Sequence, residues 1–81
     1  MVVDLDAFAA DDVRERRLHS SQELTELPRG ALRVRLRLSS LEKVERWVLS
    51  MGTHATVVAP AALRERARGV GRELAEKYGL D

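Results

Sequence analysis

Between Leu32 and Leu38 the chain alternates without a break: Leu32, Val34, Leu36 and Leu38 are apolar, and Arg33, Arg35 and Arg37 stand between them. A β-strand sends successive side chains to opposite sides, so the segment predicts a strand with an apolar face and an arginine face. One strand of this kind cannot hold itself together in water. Its apolar face needs a sheet packed on helices, while its arginine face is left to solvent or to a partner.

The rest of the chain supplies the companions. Met1 to Asp6 alternates, with Val3 and Leu5 bracketing Asp4, and predicts a short strand. Asp6 is placed to cap a helix from Ala7 to Arg16, in which acidic residues fall early and arginines late, as the helix dipole favours. Leu18 to Ser21 is a polar connector, and Gln22 to Leu27 predicts a second strand whose imperfect alternation suggests a bulge. Pro28-Arg29-Gly30 turns the chain into the arginine strand. Ser39 or Ser40 then caps a helix with Leu41, Val44 and Val48 on one face and Trp47 beside them, and Gly52 ends it. His54 to Ala59 is rich in β-branched residues and predicts a strand, which Pro60 closes as it opens a last helix. There Leu63, Ala67, Val70, Leu74 and Tyr78 form an apolar stripe. Gly69 and Gly71 each weaken that helix by about 1 kcal/mol relative to alanine, so the stripe needs a docking surface.

The resulting order is β-α-β-β-α-β followed by a helix. With right-handed crossovers it closes as a four-stranded antiparallel sheet with two helices on one face. The expected class is therefore α+β, ferredoxin-like, with an extra C-terminal helix, in a single domain over residues 1–81.

Composition narrows the function. A chain of 81 residues without cysteine has a modest core and no covalent staple, and is expected to gain stability from a neighbouring domain or a second copy. Lack of cysteine suits a cytoplasmic setting. The 14 basic residues nearly cancel the 13 acidic ones, which argues against general attraction to nucleic acid or membranes. No apolar run approaches the roughly 20 residues that cross a bilayer, and the short acidic start is unlike a signal peptide. All basic residues but Lys43 and Lys77 are arginine, the side chain best suited to interfacial pairing.

Two groups of residues are candidate contacts. Arg14, Arg16 and Arg17, with His19 and Gln22, gather donors suited to phosphate or carboxylate. They form either an effector or partner site, or a helix end neutralised by Asp11, Asp12 and Glu15. Arg33, Arg35 and Arg37 line the sheet, where Glu23 and Glu26 across the hairpin offer pairing. Sheets that bind single-stranded RNA stack bases on strand aromatics, but Phe8, Trp47 and Tyr78 all fall on helices, so an interface with another protein unit is expected instead. Arg46 and Trp47 have the chemistry of an interface anchor, although Trp47 is equally a core residue beside Leu41 and Val44. His19 and His54 stand too far apart to make a metal site without further ligands. Scattered single glycines provide no phosphate loop or dinucleotide fingerprint, and no nucleophile turn accompanies His19, Ser20 and Ser21. Neither an enzyme nor a cofactor is expected.

Asp4 to Gln22, DLDAFAADDVRERRLHSSQ, resembles the opening of the C-terminal extension (WCX) domain of bacterial WYL-domain transcription regulators. Ser39 to Arg66, SSLEKVERWVLSMGTHATVVAPAALRER, resembles that domain's helix–glycine–strand–proline–helix half, most closely at RWVLSMG and VVAP. The resemblance implies a ferredoxin-like module that dimerises and contacts a WYL domain of the same or a partner subunit. It also implies a parent regulator with a winged-helix DNA-binding domain and a WYL pocket for nucleic-acid or nucleotide-like effectors. Neither of those portions is present here. A different class, a stand-alone ferredoxin-like domain sensing amino acids, would require glycine-containing ligand loops, and only Gly30 and Gly52 sit at loops.

Overall fold

The computed structural model describes residues 1–16, 21–37 and 40–79. Its strands are β1 (Val2–Leu5), β2 (Glu23–Glu26), β3 (Leu32–Arg35) and β4 (Ala55–Ala59), and its helices are α1 (Ala7–Glu15), α2 (Leu41–Ser50) and α3 (Ala61–Lys77). They form one antiparallel sheet in the order β2-β3-β1-β4. This is the expected α+β, ferredoxin-like arrangement with its additional C-terminal helix.

Alternation sets the register. Val3 pairs with Val34 on one side and Val57 on the other, so one row of the sheet is apolar on a single face. Leu5 and Leu32 form a second such pair. Val3, Leu5, Leu32, Val34, Leu36 and Val57 are all buried, together with Ala10 and Val13 of α1, Val44 and Val48 of α2 and Leu63 of α3. A slip by one residue in β3 would turn the arginines into this core.

Asp6 caps α1, its side chain accepting from the backbone N–H of Ala9. The first turn of α1 contains no acidic residue; Asp11 and Asp12 stand in mid-helix and pair locally with Arg14 and Arg16, so the carboxylates serve these arginines rather than the dipole. Ser40 caps α2 by accepting from Lys43 N–H. Gly52 follows its end with φ of 59°, the left-handed conformation that glycine adopts without a Cβ clash. Of the residues given a place from the sequence, Arg17, Leu18, His19, Ser20, Leu38 and Ser39 lie outside the described residues, as does the side chain of Leu41.

Three further expectations are corrected. β2 pairs with β3 without a register shift; the bulge lies instead between β1 and β4, where Val2 faces Ala59 and Val3 faces Val57, leaving Val58 as the extra residue. The arginine strand draws its acidic partner from the middle of the sheet, because Asp4 of β1 stands directly opposite Arg33. Glu26 instead shares its register with core-facing Leu32 and meets Arg14 of α1. Finally, the stripe on α3 docks over only part of its length. Leu63 is fully buried and Ala67 packs on the core, but Leu74 and Tyr78 are exposed. The sheet and α2 meet the first turns of the helix, and its second half extends past them.

Candidate functional site

The sheet surface opposite the helices carries Glu23 and Thr25 on β2, Arg33, Arg35 and Arg37 on and just beyond β3, Val2 and Asp4 on β1, and Thr56 and Val58 on β4. None of these side chains is buried. Among the described residues, no helix covers them.

Within that surface the arginines differ. Arg33 is bidentate to Asp4, Nε to Oδ1 at 2.7 Å and the second guanidinium nitrogen to Oδ2 at 2.9 Å. This contact lowers the Asp4 carboxyl below its ordinary value, chiefly through the hydrogen bond from Arg33, which outweighs the opposing effect of burial, with the charge of Arg33 adding least. The pair makes the middle of the face electrically neutral. Arg35 and Arg37 are exposed, and neither side chain has a hydrogen-bond or ion-pair partner among the described residues. The backbone of Arg37 is held by Ser21, whose hydroxyl accepts from its N–H and donates to its carbonyl. One end of the open face therefore presents two available guanidiniums beside the partly exposed Val2 and Val58.

The second candidate group is arranged differently. Arg14 points from α1 to the hairpin, with two bonds to Glu26 at 3.0 and 2.6 Å, one to Asp11 at 2.7 Å and one to the carbonyl of Gly30 at 3.0 Å. These contacts raise the Arg14 guanidinium and lower the Glu26 carboxyl, in both cases mainly through their mutual hydrogen bonds. Arg14 thus fastens α1 to the β2–β3 turn. Arg16 forms a longer pair with Asp12, at 3.3 Å, and its carbonyl accepts from Gln22. Arg17 and His19 lie outside the described residues. On α2, Arg46 reaches Glu42 at 3.5 Å on an exposed surface, while Trp47 is half-buried and packs on the core.

A further cluster joins the β1–α1 and α2–β4 loops. The second carboxylate oxygen of Asp6 lies 2.7 Å from His54 Nδ1, and Asp6 N–H donates to the carbonyl of His54. Phe8 stacks on the His54 ring, with centroids 4.4 Å apart and planes inclined by 26°. Beside them lies an open hollow of about 310 Å³, lined by Phe8, Ala9, Asp12, Ser50, Met51 and His54. Sequence reasoning assigned Asp6 to a cap and found no partner for His54. The two are 48 residues apart, and only the crossover topology places their loops side by side. An aromatic residue at the solvent face of α1 was the one available signal.

A protein-family model described as the WCX domain matches residues 1–75. The chain belongs to the WCX domain family. No curated protein matches it. Membership accounts for the two stretches that resembled the family, and it places this WCX domain in the context of a C-terminal module of WYL regulators. Among its described residues, no helix is long and apolar enough to cross a membrane.

Proposed function

We propose that this WCX domain is a non-enzymatic dimerisation and relay module of a cytoplasmic helix-turn-helix regulator. Its open sheet face is covered by a second copy or by a WYL domain. In such a regulator, the spacing of two DNA-binding heads depends on how their C-terminal modules are held together. An effector that binds near the WYL domain acts by changing that arrangement.

The observation that carries this reading is the uncovered sheet face. Arg35 and Arg37 have no side-chain partners among the described residues, and valines stand beside them, a combination of available charge and apolar surface common at protein interfaces. Arg33 supports the face through Asp4 and is not expected to contact a partner directly. Size-exclusion chromatography with light scattering tests self-association. A dimer that Arg35→Glu with Arg37→Glu returns to monomer supports the proposal; a monomer at high protein concentration counts against self-association. A purified WYL domain that fails to bind the same chain would then remove the remaining partner.

A further inference from the structure

The hollow beside Phe8 has a one-sided chemistry. Ser50 Oγ donates its proton to the carbonyl of Trp47 at 2.6 Å, so only its lone pairs remain. The Asp6 carboxyl is held below its ordinary range, chiefly by its hydrogen bond to His54. An ionised carboxylate only accepts, so the His54 Nδ1 that faces it at 2.7 Å carries a proton committed to Asp6. Asp12 bears a negative charge that, among the described residues, is engaged by the exposed 3.3 Å pair to Arg16. Of the polar groups lining the hollow, Asp12 and Ser50 thus offer acceptors, and the Nδ1 proton of His54 is committed to Asp6. The remaining lining is the ring of Phe8, the methyl of Ala9 and the thioether of Met51. Phe8 gives one ring face to His54 and, at 78% exposed, keeps the other open.

A negative charge, acceptor lone pairs and a ring face are complementary to a planar cation rich in donors. We propose that this hollow receives the guanidinium of an arginine side chain from a partner protein, its stem lying on Phe8 and Met51 and its head meeting Asp12. Peptide-borne arginine fits better than the free amino acid, because a free α-carboxylate would bring a second anion to a hollow already lined by Asp12. This site is separate from the open sheet face, and the inference does not rest on dimerisation.

The test is an NMR titration of the isotope-labelled 81-residue chain with N-acetyl-arginine amide, L-arginine and N-acetyl-citrulline amide, the last a neutral near-isostere. The acetylated arginine should shift the resonances of Phe8, Met51 and His54 saturably, and both other compounds should bind more weakly. Phe8→Ala and Asp12→Asn should each weaken binding by about fivefold, the scale of an exposed cation–π contact, and Phe8→Trp should restore it. Both positions are exposed, so circular dichroism of these variants should match the parent. Absence of saturable shifts at tens of millimolar overturns the proposal. Equal binding of the citrulline compound overturns the charge argument, and equal binding of L-arginine overturns the assignment to a protein-borne side chain.

Discussion

Asp6 and His54 join the two loops at one end of the sheet through a reciprocal pair of contacts. The histidine ring nitrogen meets the Asp6 carboxylate at 2.7 Å, and the Asp6 N–H meets the His54 carbonyl at 3.0 Å. The other Asp6 oxygen caps α1. One side chain therefore starts a helix and ties it to the entrance of β4. Asp6→Ala should lower the thermal midpoint by roughly 4–8 °C, the scale of losing one cap in a domain this small. Asp6→Asn should lose less, because asparagine caps nearly as well. A scanning-calorimetry comparison that finds the two variants equal would show that the His54 contact, and not the cap, is what matters.

The acidic limb of the stability profile follows from three carboxyls. Asp4, Asp6 and Glu26 lie below their ordinary values of 3.8, 3.8 and 4.5, each mainly through a hydrogen bond, from Arg33, His54 and Arg14 respectively. A group depressed on folding contributes its full stability above its unfolded value and loses it as pH falls through the folded one. The thermal midpoint should therefore be flat above about pH 5 and decline progressively below it. Because these pairs are largely exposed, each contribution is small. Asp4→Asn should lower the plateau slightly and make the decline shallower. A midpoint measured from pH 7 to pH 2.5 that runs parallel for parent and variant would contradict this assignment.

The residues that sequence placed correctly share one property: their role depends on neighbours close in the chain. Alternation from Leu32 to Leu36, the caps at Asp6 and Ser40, the Pro28–Gly30 turn and the glycine after α2 are local, and all appear in the structure. Two contacts that were missed depend on distant registers. Arg33 and Asp4 are 29 residues apart, and Arg14 and Glu26 are 12 apart. Acidic residues near in sequence looked like the natural partners, but pleat and strand order sent Glu26 to the helix side and brought Asp4 to the arginine row. The open face was legible from its arginines. The hollow was not, since its lining comes from α1 and from the end of α2 with the loop after it, which meet only after the crossovers form.

Leu63 and Leu74 stand on the same stripe of α3, yet the structure gives them opposite energetic roles. Leu63 has no exposed surface, whereas Leu74 is 47% exposed. Leu63→Ala should cost about 2–5 kcal/mol through lost burial and the cavity left behind. Leu74→Ala should stay within roughly 0.5 kcal/mol in the isolated chain. Urea unfolding of the two variants gives the comparison directly. A large loss at Leu74 would mean that the outer half of α3 is covered in solution, by this chain or another copy.

Gly69 and Gly71 test whether that outer half has a conformational requirement of its own. Both lie within α3, and a Cβ added at either position would meet nothing within 4 Å. In an exposed helix, alanine is favoured over glycine by about 1 kcal/mol, because glycine gives up more backbone freedom on folding. Gly69→Ala and Gly71→Ala should therefore each stabilise the isolated chain, by up to about 1 kcal/mol. They should act additively, since neither position has a partner for its new methyl group to disturb. Gly30 provides the contrasting control. Its φ is 77°, and an added Cβ would lie 3.2 Å from that of Ala7, so Gly30→Ala should destabilise. Denaturant midpoints for the three variants decide the matter. If alanine at 69 or 71 lowers stability, the last helix is not a simple helix in solution, and the glycines are there to let another backbone approach.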